Sequence, residues 1–278
     1  MKKILVPTDF SPVADNALDY AIDLAAEFGS ELLLYHVYFF YRKEDYDWDL
    51  PEDEQPFVKK IEKQMTVTKE RFMEKINQKG VVIQTGIAET NIYSLFTKIV
   101  EKHKISLIIM GSKGASGLEK VILGSVAATA LDVASVPLLV IPPNRSFLHL
   151  KKIVMTTDLN EVDTNIFSPL QHLIVKFDAK VTMLNVNPEL SEATIQKNHF
   201  PIQDLETTYV EIPMSNNINK TINDFVRKHR FDLMCMIRRE KGIFESIFKR
   251  SITLNQVYDN IIPLLVLPEN SSTVQGSH

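Results

Sequence analysis

The chain has 278 residues, enough for two domains of ordinary size, and its hydrophobic fraction of 45% and charged fraction of 24% are typical of globular proteins. Its 31 basic and 35 acidic residues give a net charge of −4. There are 17 basic and 20 acidic residues before position 146, and 14 and 15 after it. Neither half therefore has the basic surface expected of a nucleic-acid-binding protein.

The N-terminus, the cysteine and one long apolar stretch bear on the compartment of the protein. "MKKILVPTDF" has a short apolar run followed by Asp9 and no small-residue cleavage site, so it predicts a strand rather than a signal peptide, and a cytoplasmic protein. Cys235 lies in the apolar run "FDLMCMI" and is expected to be a buried, inert thiol. The stretch 121–143 is divided by Asp132 and Pro137 into a helix and a strand, so we expect no membrane span.

Short apolar runs alternate with helical patterns through the first half of the chain. The predicted strands are "KILVP", "ELLLYHV", "VVIQT", "SLIIM" and "PLLVIP". They are apolar on successive residues, which is typical of a parallel sheet covered on both faces. Ser11 can cap the first helix, Pro12 suits its first position, and Gly29 supplies its exit. Further helices are predicted over residues 57–79, 91–104 and 125–134.

The second half repeats the first. "KKILVPTDF" recurs as "KKIVMTTDL" at residue 151, and "VPLLVIPPN" recurs as "IPLLVLPEN" at residue 262. The matching strands are "KIVMT", "KVTMLNV", "TYVEI", "DLMCMI" and "PLLVLP", although the segment between the second and third is shorter and Pro169 fits its helix poorly. We therefore predict two domains, residues 1–145 and 150–270, as two tandem doubly wound parallel five-stranded α/β sheets.

Four of the nine glycines lie within fourteen residues, in "IIMGSKGASGLEKVILGSVAATA". Ligands of open α/β sheets bind beyond the carboxyl ends of the strands, and Gly111 directly follows the fourth strand. Gly111 and Gly114 can bring backbone amides against phosphate oxygens, while Gly124 and Ser125 open a helix whose N-terminus attracts anions. The spacing is neither that of a P-loop nor that of the usual dinucleotide fingerprint. The stretch predicts a phosphate site of another kind.

These motifs resemble the universal stress protein family in its tandem-domain form. The likeness extends over the whole chain and rests on "ILVPTDFS", a second strand ending in "YHV", "TGIAETNI", "IIMGSKG", "LGSVA" and "VPLLVIP". It implies a Rossmann-like fold of the adenine nucleotide alpha hydrolase-like type and an ATP site, with Mg²⁺ as a companion ion. It also implies that "PLLVIP" and "PLLVLP" pair inside one chain as a pseudo-dimer, which leaves a further homodimer of chains open.

By the same resemblance, adenosine lies at the ends of the first, second and fourth strands and the triphosphate at the glycine stretch. The adenosine residues implied are Pro7, Thr8, Asp9, Val37 and Met110. The triphosphate residues implied are Gly111, Lys113, Gly114, Gly124, Ser125 and Val126. Asp9 would face the ribose or base, and Val37 and Met110 would offer backbone groups to the adenine. Ala127 is a departure, since ATP-binding relatives often have a hydroxyl there.

The glycine pattern is not kept in the second half. A gapless alignment of "IPLLVLP" with "VPLLVIP" places Ile237, Glu240 and Arg250 at the three glycine positions. Their side chains would occupy the phosphate space, and Glu240 would repel phosphate by about 4 kcal/mol at about 4 Å and an effective dielectric of about 20. We expect no ATP there. The basic loop from Arg238 to Arg250 is then a solvated loop that has lost its ligand, the favoured interpretation, or binds another anion or a neighbouring acidic surface.

Three functions stay open. The first is a regulatory ATP-binding module, the second a slow ATP hydrolase and the third an interaction scaffold that binds no nucleotide. Glycines retained at a cost of about 0.5–1 kcal/mol each favour binding. Hydrolysis needs a base beside the γ-phosphate, for which only Asp9 or Asp132 is available, so no catalytic residue is assigned. The histidines form no HxH or HExxH pattern, which predicts no metal cluster, and His36 is expected to be a packed core residue.

Overall fold

A computed structural model describes residues 1–40, 53–112, 125–157, 164–198, 207–215, 218–238 and 262–269. Within these residues the strands form a single 11-stranded sheet of order β3-β2-β1-β4-β5-β11-β10-β6-β7-β9-β8. The strands of the first half are β1 Lys3–Pro7, β2 Glu31–Tyr38, β3 Ile83–Glu89, β4 Leu107–Gly111 and β5 Leu138–Ile141. Those of the second half are β6 Lys152–Thr156, β7 Lys180–Asn187, β8 Thr194–Asn198, β9 Thr207–Pro213, β10 Leu233–Arg238 and β11 Leu264–Pro268.

The first half is a doubly wound parallel sheet, as the strand and helix patterns predict. Each neighbouring pair in the order β3-β2-β1-β4-β5 is parallel. All five residues of β4 are buried, which agrees with a sheet covered on both faces. The helices are α1 Pro12–Phe28, α2 Gln55–Lys79, α3 Ile92–Ser94, α4 Val100–Lys102 and α5 Ser125–Val133, with a π-helical turn Leu95–Ile99 between α3 and α4.

Helix α1 begins and ends at the predicted residues. The Ser11 hydroxyl accepts a hydrogen bond from the Ala14 N–H at 3.2 Å, and Pro12 occupies the first helical position, where no N–H is needed. At the other end Gly29 adopts a left-handed conformation with φ of 60° and returns its N–H to the Ala25 carbonyl. These caps fix where the chain leaves β1 and re-enters the sheet at β2.

The second half departs from the first in one crossover. Five strands, β6, β7, β9, β10 and β11, match the predicted ones, but β8 is an additional strand that pairs antiparallel with β9. The connection from β7 to β9 covers only residues 188–206, whereas residues 39–82 hold α2 in the first half. Among the described residues of that connection there is a strand and no helix. The doubly wound α/β fold is confirmed, but two details of the prediction are corrected: among the described residues the second half has six strands, and the strands of both halves form one continuous sheet.

The first α-helix described in the second half is shorter than α1. A 3₁₀ turn, Thr164–Phe167, leads into α6, Ser168–Phe177, and α7 covers Ile218–His229. Pro169, which the sequence pattern marked as a poor fit, lies in the first turn of α6. Its missing N–H costs no helical hydrogen bond at that position.

The two halves meet at the strands that end them. β5 pairs antiparallel with β11, and Leu139 lies opposite Leu265 at the centre of the pairing. On one face of the sheet α1 and α6 approach each other, with the rings of Phe28 and Phe177 6.0 Å apart and Lys176 3.3 Å from Glu27. Two apolar clusters each contain residues of both halves. No helix in the described ranges has the length and apolarity to cross a membrane.

Candidate functional site

A crevice opens where β1 and β4 separate. β1 keeps five register pairs with β2, from Lys3–Glu31 to Pro7–Tyr35, but only two with β4, ending at Leu5–Ile108. Both strands continue past that point, β1 to Pro7 and β4 to Gly111. Proline has no backbone N–H to donate to a neighbouring strand. Pro7 therefore suits this position, where β1 is no longer paired with β4. Strand order also reverses between β1 and β4, the place where open α/β sheets bind ligands.

The main chain of Val37 faces this crevice. The Tyr35 carbonyl accepts from the Thr8 N–H of the β1 side, whereas the Tyr38 carbonyl accepts from the Thr90 N–H of the β3 side. Successive residues of a strand direct their backbone groups to opposite neighbours, so Val37 has the direction of Tyr35. At the level of Val37, β1 has already ended at Pro7. The N–H and C=O of Val37 therefore point into the space above the end of β1.

On the other wall the backbone groups that face the crevice belong to Gly111. The N–H groups of Ile108 and Ser112 donate to carbonyls on the β5 side, Pro137 and Ile141, at 2.9 and 3.0 Å. By the same alternation Met110 is directed to β5, where it pairs with Val140, and its side chain is buried. Gly111 is directed to β1. Gly111 is thus better oriented than Met110 to offer backbone groups to a ligand in the crevice.

Gly111 has a second reason to be glycine. A Cβ at this position would lie 2.5 Å from Val13 Cγ1 and 2.9 Å from the Val13 carbonyl oxygen, both in the first turn of α1. Real Cβ contacts are never that short, so any side chain would push α1 away from β4. The missing side chain keeps the start of α1 against the end of β4 and so closes the floor of the crevice.

The loop from β1 to α1 is held by its own polar groups. The Thr8 hydroxyl accepts from the Phe10 N–H, and the Asp9 Oδ1 accepts from the Ser11 N–H, each at 3.0 Å. His36 Nδ1 lies 2.7 Å from the Thr8 carbonyl oxygen, and its ring stacks on Phe10 at 4.6 Å. Since a carbonyl only accepts, the proton is on Nδ1. Thr8 is buried and the Asp9 carboxylate is exposed at the mouth of the crevice.

His36 and Phe10 were not singled out as site residues by the sequence. His36 lies within β2 and is half-buried, so it is less enclosed than the core residue we expected. Phe10 has a positive φ of 63°, which is uncommon for a bulky residue. An aromatic residue directly after the "PTD" turn was the only signal in the sequence, and it does not reveal the partner 26 positions later.

The triphosphate part of the predicted site is described only at its edges. Lys113, Gly114 and Gly124 lie outside the described residues. α5 begins at Ser125, Val126 is 36% exposed in its first turn, and Ala127 is buried. Of the two carboxylates considered as a base, Asp132 lies near the C-terminal end of α5, about 10 Å along the axis from Ser125. It is therefore at the opposite end of the helix from the predicted phosphate position.

The second half has a different arrangement at the matching positions. Ile237 takes the place of Gly111, and its side chain is buried. The next residue, Arg238, sends its side chain into the first half, where Nη1 donates to the carbonyl oxygen of Leu131 in α5 at 2.7 Å. Asp158, Glu240 and Arg250 lie outside the described residues. The first residue of the basic loop is thus engaged in a contact between the halves.

Comparison with known proteins agrees with this geometry. The sheet order and the crevice define an α/β protein of the Rossmann-like class, and the family model described as "Universal stress protein family" matches residues 1–142. The universal stress protein MJ0531 of Methanocaldococcus jannaschii is 33% identical over 149 residues, which cover 50% of this chain and 81% of that protein. The chain belongs to the universal stress protein family.

Solved structures extend the likeness in fold to the whole chain. The crystal structure of a universal stress protein from Archaeoglobus fulgidus has a TM-score of 0.68 and 15% identity and covers 96% of this chain and 98% of that chain. A universal stress protein solved in complex with cAMP has 19% identity and a TM-score of 0.39, and covers 51% of this chain and 98% of that chain. The first of these shows that the fold of both halves together is found in another member of the family.

Proposed function

We propose that the first half binds ATP, with Mg²⁺, in the crevice between β1 and β4, and that the chain acts as a nucleotide-dependent regulatory module. One observation carries this proposal. The backbone N–H and C=O groups of Val37 and of Gly111 point into the crevice from its two opposite walls, at the place where β1 and β4 separate. The fixed N–H and C=O groups of one residue on each wall are suited to the edge of a planar base, because they bind its donors and acceptors without side-chain rearrangement.

The remaining residues then have defined roles. Pro7 and Thr8 form the floor beneath the adenosine, and the exposed carboxylate of Asp9 accepts from a ribose hydroxyl. Met110 forms part of the wall, but Gly111, and not Met110, offers its backbone groups to the adenine. Gly111, predicted as a triphosphate residue, is assigned to the base instead. The other predicted triphosphate residues keep that role: Lys113, Gly114, Gly124, Ser125 and Val126, of which the last two supply amides at the N-terminus of α5.

The magnesium ion would be held mainly by the nucleotide. In the described part of the chain no group of three or more His, Cys, Asp or Glu side chains is placed to hold a metal ion. Mg²⁺ commonly binds phosphate oxygens and waters together with only one or two carboxylates. When bound, the ion would neutralise part of the triphosphate charge.

A regulatory function is favoured over hydrolysis. Asp132 lies at the far end of α5 from the phosphate position, and Asp9 Oδ1 already accepts the Ser11 N–H. Asp9 is assigned to the ribose in this proposal, so neither carboxylate is assigned to an attacking water, which hydrolysis requires. A slow hydrolase and a scaffold without nucleotide are the alternatives.

The proposal also includes the organisation and location of the chain. We propose two domains, residues 1–145 and 150–270, a pseudo-dimer of the two halves through β5 and β11, and a cytoplasmic location.

The test measures nucleotide stoichiometry on the full chain. Calorimetric titration with ATP, ADP, AMP and cAMP, in the presence and absence of Mg²⁺, should give one site per chain with ATP preferred. Gly124→Arg should abolish ATP binding, because a long side chain would occupy the space beside the helix N-terminus. The matched control is Arg250→Gly at the corresponding position of the second half, which should leave the stoichiometry unchanged.

Three results would decide against the proposal. Unchanged ATP binding by Gly124→Arg would place the phosphate elsewhere, and no binding by the parent chain would favour a scaffold. Steady release of phosphate from ATP would favour the hydrolase. Mass spectrometry of nucleotide released from the purified protein identifies the ligand carried from the cell, independently of the titration.

A further inference from the structure

Arg238 connects the second half of the chain to the helix that begins at the proposed phosphate site. It is the last residue of β10 and follows Ile237, so it occupies the position that corresponds to Ser112. Its Nη1 donates a part-buried hydrogen bond of 2.7 Å to the Leu131 carbonyl, across 107 residues of sequence. Ser112, at the corresponding position of the first half, has a much shorter side chain than arginine and cannot reach as far from its strand.

The acceptor lies in the last turn of α5. The last four carbonyls of an α-helix have no partner within the helix and carry the negative end of its dipole. α5 ends at Val133 and has no basic residue of its own in the last turn. Arg238 therefore supplies what this helix lacks, a donor for the Leu131 carbonyl and a positive charge at its C-terminus.

Small and apolar side chains surround the contact. Ala130 and Ala134 of the first half and Val266 and Pro268 of β11 line the same groove as Arg238. Both alanines have small side chains and are buried. This enclosure reduces competition from water and strengthens a charge-assisted hydrogen bond.

We infer that Arg238 is a positioning residue for the triphosphate site of the first half. This rests on the proposed function. α5 has nine residues, about 13.5 Å at the rise of an α-helix, and its i to i−4 hydrogen bonds connect its two ends. Holding its C-terminus through Leu131 therefore fixes where the amides of Ser125 and Val126 point at its N-terminus. The second half lacks the glycine pattern, and through Arg238 it contributes to the site of the first half, where that pattern is present.

The test combines hydrogen exchange with nucleotide titration on the full chain. Arg238→Met keeps much of the side-chain volume and removes the charge and the donors, whereas Arg238→Lys keeps a charge and a donor. Lys176→Met is the matched control, because it removes the Lys176–Glu27 contact between the halves, at 3.3 Å, without touching α5. Exchange is followed by mass spectrometry on peptides covering 125–133, with peptides of α1 as an internal reference.

Arg238→Met should raise exchange in 125–133 and not in α1, and weaken ATP binding by about fivefold or more, a common coupling between sites. Arg238→Lys should recover much of both effects, and Lys176→Met should show neither. Unchanged exchange in α5, or unchanged ATP affinity with raised exchange, would overturn the inference. If Arg238→Met does not fold, Arg238→Gln keeps a shorter donor and loses the charge, and it should change exchange in 125–133 and ATP affinity in the same direction by a smaller amount. No ATP binding by the parent would instead overturn the proposed function itself.

Discussion

Gly111 and Val13 are in closer contact than any other residue type at position 111 would allow. The ideal Cβ of residue 111 would lie 2.5 Å from Val13 Cγ1 and 2.9 Å from the Val13 carbonyl oxygen. The clash with a backbone atom cannot be relieved by rotating a side chain. The need for glycine here therefore exists without any ligand, and the same contact shapes the crevice in which a ligand is proposed.

Gly111→Ala should lower the free energy of unfolding by about 1–3 kcal/mol, the usual cost of overpacking a close contact. Urea denaturation measures this change. In the Gly111→Ala background, Val13→Ala should recover only part of the loss, because it removes the Cγ1 contact and leaves the carbonyl contact. An unfolding free energy equal to that of the parent would show that α1 moves away from β4 at little cost.

His36→Phe should destabilise the turn after β1. The ring remains able to stack on Phe10, but the Thr8 carbonyl loses its 2.7 Å donor. We expect a loss of about 1–2 kcal/mol in unfolding free energy, the cost of leaving a partly buried acceptor unpaired. His36→Asn, which keeps a side-chain N–H and is the residue found at the corresponding position 185, should lose less. A larger loss for His36→Asn than for His36→Phe would mean that stacking on Phe10, and not the hydrogen bond to Thr8, holds the turn.

Lys75 joins α2 to α1 through two carboxylates. Its Nζ lies 2.7 Å from Asp19 Oδ1 and 2.7 Å from Asp23 Oδ2, while Lys79 lies 3.2 Å from Asp23. Lys75→Met should cost about 0.5–1 kcal/mol at low salt and less at high salt, because ions screen the pairs. Lys79→Met, with one longer pair and a more exposed side chain, should cost less. Salt-independent losses would point to packing of the lysine stem instead.

Cys235 should be unreactive in the folded protein. Burial raises the pKa of its thiol far above the usual range, so the thiolate that reacts with disulfide reagents is absent at neutral pH. Ellman's reagent should react with Cys235 only after unfolding. Rapid reaction in the native state, at a rate independent of denaturant, would contradict the buried position.

The same thiol should weaken the fold in alkali. Its pKa is raised in the folded state relative to the unfolded state, so stability is fully present below the ordinary thiol pKa. It then falls as pH rises through and beyond that value, by at most about 1.4 kcal/mol per pH unit. Cys235→Ala should remove this part of the slope in urea titrations at increasing pH. An identical slope in the variant would assign the alkaline loss to other groups, such as the buried tyrosines.

Local sequence signals predicted most of the fold. The hydroxyl of Ser11, the ring of Pro12 and the glycine at 29 each act on neighbouring residues, and the structure has the cap, the start and the end of α1 where they indicate. Buried strands were equally legible, because their apolar runs have a single explanation in a covered parallel sheet. β8 gave no such signal, since "TIQKN" is an edge strand with mainly polar residues and an exposed Ile195.

The site was predictable only in part, for a physical reason. The glycine stretch marks where a ligand can approach, but the direction of each backbone group depends on which strands lie on either side. That information distinguishes Gly111 from Met110, and it exists only once the register of β4 with β5 is known. Contacts such as Arg238 with Leu131 depend on how two distant strands and a helix meet, and no spacing rule encodes them.

The pairing of β5 with β11 gives each half something that neither has alone. A strand at the end of a sheet presents unpaired amides and carbonyls that other chains can extend. In the intact chain each of these two apolar strands shields the other. A fragment that stopped after residue 145 would present Leu138–Ile141 as an open template, and we expect such a fragment to recruit further copies of itself or to precipitate.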